Sequence, residues 1–263
     1  MSETIFYPSL DGVRLCAVVD AAPGAHGSVV LAHGITVDKD ESSGTTGIPA
    51  FVELADLLIA HGYNVLRFDF RGHGQSGLKS RQMTITGELL DLIASVRQAE
   101  ARWGQPVAVV GASFGAVSSV LYATGIGGLA CLVLWNPVLD LRQTFLEPVE
   151  PIPQQFFNAE GYARLAAHGV LSLDGFEIGA CLVDEMRRVE PFARMAEITC
   201  PILTLHGDHD RYVPYAVARQ YAACNPASRF VTVAGAEHGF GAPADRETVL
   251  AETLAWLDQW MTP

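Results

Sequence analysis

Ser113 is the residue of this sequence best placed to act as a nucleophile. It stands in Gly111-Ala112-Ser113-Phe114-Gly115, after the apolar run 107–110 and before the helical pattern GAVSSVLYA. A strand, a sharp turn and a helix in that order lift a serine onto a strained turn at the strand's end. Glycines two positions before and two after leave room for the neighbouring strand and helix. The following helix points its N-terminus, with unpaired N–H groups and a partial positive charge, at the place where an oxyanion would form. A serine that merely caps a helix is the plainer alternative, and the flanking strand and helix argue against it.

A serine hydroxyl is a poor nucleophile near neutral pH and needs a positioned base. Of the eight histidines, His238 fits best, because it lies in the glycine-flanked loop Gly235-Ala236-Glu237-His238-Gly239 after the last apolar run, 229–233. Where the chain order is nucleophile, acid, base, the acid follows the preceding strand, 202–206. Two aspartates stand there, Asp208 and Asp210, and spacing alone does not choose between them. The acid's task is to accept a hydrogen bond from the imidazole and hold the tautomer that can take the serine proton. His206 and His209 beside these aspartates suggest a metal site, but alternating residues of one short loop rarely converge on an ion. His206 is expected to end a strand and point into the structure. A triad of this kind needs neither metal nor cofactor, and none is expected.

These side chains need a scaffold that brings three distant stretches together. Strands are expected at 13–19, 28–32, 64–68, 106–110, 130–135, 202–206 and 229–233. The middle ones are apolar without alternation, as in strands covered on both faces. Helical stripes lie between them: Phe51, Leu54, Ala55 and Leu58; Leu89, Leu92, Ile93 and Val96; and Val249, Leu250, Leu254 and Leu257. The alternation implies a mostly parallel sheet with right-handed crossovers and helices on both faces. A hairpin-like segment before Ala21-Ala22-Pro23-Gly24 would add antiparallel strands at one edge. The rhythm breaks at 137–198, a stretch too long for a plain loop. It carries helical patches without a clear strand and reads as an inserted helical cap, with residues 1–136 and 199–263 forming the core domain.

Composition narrows the partners. The chain has 263 residues, a formal charge of −12 and 49% hydrophobic residues, enough apolar content for a large buried core. The negative charge disfavours nucleic acid and anionic membrane surfaces, whose recognition rests on clustered Lys and Arg. Five scattered cysteines without a CxxC pair fit reduced thiols. With no signal-peptide pattern at the start and no apolar run long enough to span a bilayer, a cytoplasmic location is expected. Nothing in the sequence fixes an oligomeric state.

One further segment completes the chemistry. Val29-Val30-Leu31-Ala32-His33-Gly34-Ile35 is a buried strand running into a loop. The backbone N–H of Ile35, with that of Phe114 after the nucleophile, would form an oxyanion hole. Losing one such donor costs about 3 kcal/mol of transition-state stabilisation.

With His33-Gly34, RFDFRGHGQSG at 67–77, GASFG at 111–115, CPILTLHGDHDRYVP at 200–214 and GAEHGF at 235–240, the chain resembles α/β-hydrolases along nearly its whole length. That resemblance implies an α/β-hydrolase fold, a mostly parallel central sheet of about eight strands with helices on both faces and an inserted cap. In relatives with an HGxxDxxVP stretch the triad acid is the aspartate before xxVP, here Asp210. Arg71, His73 and Ser76 of the RGHGQS segment are structural in such proteins. HGITVDKDE followed by a cap is most similar to the cinnamoyl and feruloyl esterases and related acyl hydrolases. The expected reaction is hydrolysis of a small-molecule ester or thioester. Acyl transfer and C–C bond hydrolysis share the same triad, and a non-catalytic binder of the same fold is the rival of another class. Phe145, Phe156, Phe157 and Tyr162 are candidates either for an acyl pocket or for the core of the cap.

Overall fold

Alternate residues of the third strand face opposite cores, which is why its sequence is apolar without a break. Val30 packs among one set of helices while Val29 and Leu31 pack among another. The computed structural model describes residues 2–41, 49–173 and 175–261. In chain order they form β1 (Ser2–Pro8), β2 (Arg14–Asp20), β3 (Gly27–Ala32), α1 (Ala50–Ala60), β4 (Tyr63–Asp69), α2 (Ile85–Trp103), β5 (Val107–Ala112), α3 (Gly115–Gly125) and β6 (Leu132–Trp135). After β6 come α4 (Ala159–His168), β7 (Val170–Leu173), β8 (Phe176–Gly179) and α5 (Ala180–Met186). The chain then completes the sheet with β9 (Ile202–Gly207), α6 (Tyr215–Ala222), β10 (Ser228–Val233) and α7 (Pro243–Met261).

Eight strands make one sheet in the order β1-β2-β4-β3-β5-β6-β9-β10. The pairs from β4 to β10 are parallel, and β1 and β2 add the expected antiparallel edge. Helices α1 and α7 cover one face through Phe51, Leu54, Val249 and Leu257. Helices α2, α3 and α6 cover the other through Leu92, Val96, Val120 and Ala218. The stripe expected for α7 needs one adjustment. Leu250 and Leu254 are only partly buried, and Thr253 and Trp256 complete the inward face instead. Helix α2 carries its own stop signals: Thr84 accepts the Gly87 N–H at the N-cap, and Gly104 ends it at φ 63°. No helix among the described residues is long and apolar enough to cross a membrane.

Between β6 and β9 the chain leaves the sheet and builds a separate apolar cluster of Phe145, Phe157, Leu171, Ile178 and Leu182 over Phe114 and Val117 of the sheet layer. This stretch is not purely helical, as its sequence pattern implies. Strands β7 and β8 pair there as an antiparallel hairpin. The hairpin is fastened to the sheet layer at two points. Gly179 lies so close to the Arg81 carbonyl that a Cβ there would come within 2.0 Å of it, and Phe176 stacks on His73 at 4.9 Å.

Candidate active site

The four loops that carry chemistry-bearing residues all leave the C-terminal ends of parallel strands, the edge where open α/β sheets bind their ligands. Ser113 follows β5 with φ 50°, a left-handed conformation that a residue other than glycine holds only when its surroundings enforce it. Here the enforcement is visible. The Ser113 N–H donates to the Trp135 carbonyl at 2.8 Å, and the Ser113 carbonyl accepts the Val138 N–H at 3.0 Å. A Cβ on Gly115 would lie 2.4 Å from the carbonyl oxygens of both Ala32 and His33. The turn therefore closes only with glycine at that position.

His238 lies between Ser113 and Asp210. Its Nε2 is 3.1 Å from Ser113 Oγ and its Nδ1 is 2.8 Å from Asp210 Oδ2. A carboxylate only accepts, so Nδ1 carries the proton and Nε2 is left to accept from the hydroxyl. Gly239 and Phe240 turn the loop at φ 83° and 52°. Arg246 ties the loop down by donating to the Phe240 carbonyl while pairing with Glu53 of α1.

Asp210 is buried and saturated. Oδ1 accepts the Tyr212 and Val213 N–H groups at 2.8 and 2.9 Å, and Oδ2 accepts from both His238 and His206. Burial alone would push its pKa up. The charge of His238 and the hydrogen bonds from His206 and His238 outweigh that and hold it well below the usual carboxylate range. Burial likewise pushes the His238 ring down, but Asp210 and Glu41 together raise it above its ordinary 6.5. Asp208 faces elsewhere and accepts the Gly235 N–H, so geometry separates the two aspartates that spacing could not.

His206 is buried at the end of β9, as expected, but it also has a partner that the sequence does not disclose. Its Nε2 lies between Asp210 Oδ2 and the Val213 carbonyl, at 3.1 and 3.3 Å. Both are acceptors, so Nε2 is the protonated nitrogen and the ring braces the same carboxylate oxygen that faces His238.

The loop after β3 is pinned at four places. His33 accepts the Phe70 N–H through Nε2 and donates to the Gly34 carbonyl through Nδ1. Lys39 pairs with Asp69, and Asp40 with Arg67. The Gly34 N–H donates to Glu41 Oε2 at 2.7 Å. The Ile35 and Phe114 amides have no protein acceptor among the described residues. Arg71, His73 and Ser76 sit away from this centre. Arg71 binds Asp11, Asp91 and Ser9, His73 bonds the Arg71 carbonyl, and Ser76 bridges Asp69 and Cys16.

Above Ser113 and His238 lies a cavity of about 420 Å³, walled by Ile35, Phe145, Ile152, Phe156 and Leu173 among others. That is within the range of small-molecule pockets. Phe145 and Phe156 are thus on the wall, whereas Phe157 is core and Tyr162 donates to the Leu146 carbonyl. A second recess of about 10 Å³, the size of one water, adjoins Ser113, His238, Asn136 and Glu41. No group of three His, Cys, Asp or Glu side chains suited to a metal occurs among the described residues.

Residues 29–253 match the model of the alpha/beta hydrolase family. The chain is 24% identical to the protein YqkD of Bacillus subtilis (strain 168), over 98% of this chain and 80% of that one. It is 26% identical to the lysophosphatidylserine lipase ABHD12 of Macaca fascicularis over 80% of this chain, but spans about half (48%) of that protein's length. Among solved structures it is similar to Est1E of Butyrivibrio proteoclasticus with bound ferulic acid, at TM-score 0.80 and 21% identity, covering 98% of this chain and 100% of that one. It is also similar to the esterase Pf2001 of Pyrococcus furiosus, at TM-score 0.73 and 21% identity, covering 99% and 93%.

Proposed function

The chain belongs to the alpha/beta hydrolase family, and on that premise we propose that it is a serine hydrolase cleaving a carboxylic ester with a small, apolar or aromatic acyl group. The observation that carries this reading is the unbroken line from Ser113 Oγ through His238 to Asp210, with contacts of 3.1 and 2.8 Å.

In this reading Ser113 Oγ attacks the acyl carbonyl while His238 Nε2 takes its proton. The Ile35 and Phe114 amides hold the oxyanion, each contributing about 3 kcal/mol. His238 then protonates the departing alcohol. Water repeats the sequence on the acyl-enzyme: its proton goes to His238, the acid forms, and Ser113 recovers its hydrogen. Asp210 holds the imidazole in the right tautomer and stabilises the imidazolium without itself being protonated. No cofactor enters these steps.

The apolar wall of the 420 Å³ cavity supports an acyl group of modest size, and the elements between β6 and β9 act as its cap. Est1E with ferulic acid and Pf2001, an esterase, support ester rather than thioester or C–C substrates. The cysteines are unpaired, two of them exposed, which favours a reducing compartment such as the cytoplasm.

Labelling with a fluorophosphonate probe tests the reading. Ser113 should be modified in the wild type and not in Ser113→Ala or His238→Ala, and hydrolysis of p-nitrophenyl and hydroxycinnamate esters should be lost in parallel. Full ester hydrolysis by Ser113→Ala would remove the proposed nucleophile. Turnover confined to a vinylogous diketone would keep the triad and replace the esterase assignment.

A further inference from the structure

Glu41 pins the loop after β3 and raises the pKa of the His238 ring, and it also borders both voids at the nucleophile. It is 7% exposed and lines the large cavity and the small recess alike, in each case together with Ser113 and His238. A left-handed backbone at φ 51° turns the chain back, so that Oε2 accepts the Gly34 N–H at 2.7 Å. Gly34 lies against both the Ser113 side chain and this carboxylate. A methyl placed on it would lie 3.5 Å from Ser113 Oγ and 3.6 Å from Glu41 Oε1. The carboxylate therefore flanks the same glycine as the attacking oxygen. Of the Asp, Glu, Lys and Arg side chains among the described residues, Glu41 alone lines the large cavity.

We propose that Glu41 filters substrates by charge, so that the site takes neutral and cationic esters and rejects anionic ones. This inference rests on the ester-hydrolase reading and narrows its substrate class. The cavity is partly enclosed, and its wall mixes apolar side chains with neutral polar ones such as Thr36, Thr144 and Gln155, with no Lys or Arg among the described residues. A negative charge there is screened less than in bulk water, and an anionic group held beside it meets repulsion. A quaternary ammonium meets attraction instead, reinforced by the Tyr212 ring, which lies against His238 at 5.1 Å. Esters of phosphorylated alcohols and phosphorylated acyl carriers fall on the rejected side. Product release follows the same rule. Hydrolysis converts a neutral ester and water into an alcohol and an acid, and the acid leaves as an anion repelled by the carboxylate that tolerated its ester.

The test uses three butanoate esters with alcohol portions of nearly equal shape: 3,3-dimethylbutyl (neutral), 2-(trimethylammonio)ethyl (cationic) and 2-sulfoethyl (anionic). The wild type should hydrolyse the anionic ester at a kcat/KM at least about tenfold below the neutral one, with the cationic ester equal to or above the neutral. Glu41→Gln keeps a carbonyl oxygen for the Gly34 N–H and removes the charge, so the cation-to-anion ratio should shrink about tenfold. Equal rates on the three esters in the wild type, or an unchanged ratio in Glu41→Gln, overturn the filter. The wild-type spread alone decides if the variant does not fold. If no butanoate is turned over, rates of Ser113 labelling by phosphonates bearing the same three head groups replace it. Labelling without charge discrimination overturns the filter and spares the hydrolase reading, whereas no labelling by any of them overturns both.

Discussion

His206 Nε2 and Asp210 Oδ2 lie 3.1 Å apart in the buried base of the site, on the oxygen that also faces His238. One carboxylate oxygen thus receives two imidazoles, of which only one reaches the serine. A hydrogen bond to a charged group contributes about 1.5–3 kcal/mol net, so in the proposed mechanism His206 would act as a positioning residue. His206→Phe should lower kcat by roughly tenfold to a hundredfold with KM little changed, because the ring does not line the cavity. His206→Gln, which restores a donor, should recover part of the loss. Steady-state kinetics on both variants, with thermal melts to confirm folding, would discard this assignment if kcat were untouched.

The raised pKa of His238 fixes the sign of the pH dependence. A general base works only when neutral, and a pKa above 6.5 keeps the ring protonated to higher pH than a free imidazole. The acid limb of kcat/KM on a neutral ester should therefore have its midpoint above 6.5, with activity lost as pH falls through it. The groups facing His238 are Asp210 and Glu41, with His206 beyond Asp210 and Glu150 near enough to feel the Asp210 charge. Asp210 stays ionised throughout this range, so it adds no second acid limb. Asp210→Asn removes the larger of the two raising influences and should move the limb down while cutting kcat severely. A limb at or below 6.5 in the wild type would contradict the electrostatic picture drawn for the site.

Two glycines of α3 make a controlled pair. Gly115 abuts the Ala32 and His33 carbonyls, whereas a methyl on Gly125, at the other end of the helix, would meet nothing within 4 Å. Backbone atoms cannot step aside as a flexible side chain can, so Gly115→Ala must push the serine turn away from the end of β3. A destabilisation of about 2 kcal/mol or more is expected, together with near-complete loss of activity. Gly125→Ala should change stability by less than about 1 kcal/mol, in the stabilising direction. Equal melting temperatures for the two variants would contradict the close approach.

Much of this arrangement is legible in the sequence because it depends on order along the chain. Alternating apolar runs give the parallel sheet, and residues after strand ends gather at one edge, which places Ser113 and His238. Asp210 needs more, since Asp208 has the same local surroundings and only a three-dimensional direction, or resemblance, tells them apart. His206 reads from sequence as a strand residue, and its bond to Asp210 depends on the loop folding back over four positions. Glu41 reaches Gly34 only through a left-handed turn at a residue that is not glycine, a conformation no spacing rule anticipates. The β7–β8 hairpin does leave a signal, Asp174-Gly175 between two short apolar runs. Helical patterns on both sides mask it.

Phe156 and Phe157 are neighbours in sequence with opposite fates, and that contrast yields a test of the cavity. Phe157 is 3% exposed and packs on Phe145 with ring centroids 5.2 Å apart, within the cluster that holds the segment between β6 and β9 together. Phe156 is half-buried and forms part of the cavity wall. Truncating a buried phenylalanine costs about 3–5 kcal/mol, so Phe157→Ala should lower the melting temperature by roughly 10 °C and reduce activity on all acyl lengths alike. Phe156→Ala removes wall rather than core. It should cost little stability and shift the preferred acyl chain among p-nitrophenyl esters towards longer lengths that fill the vacated space. Profiling both variants from acetate to decanoate separates the two roles: a shifted optimum in Phe157→Ala, or an unshifted one in Phe156→Ala, would mean that the acyl group lies elsewhere than against this wall.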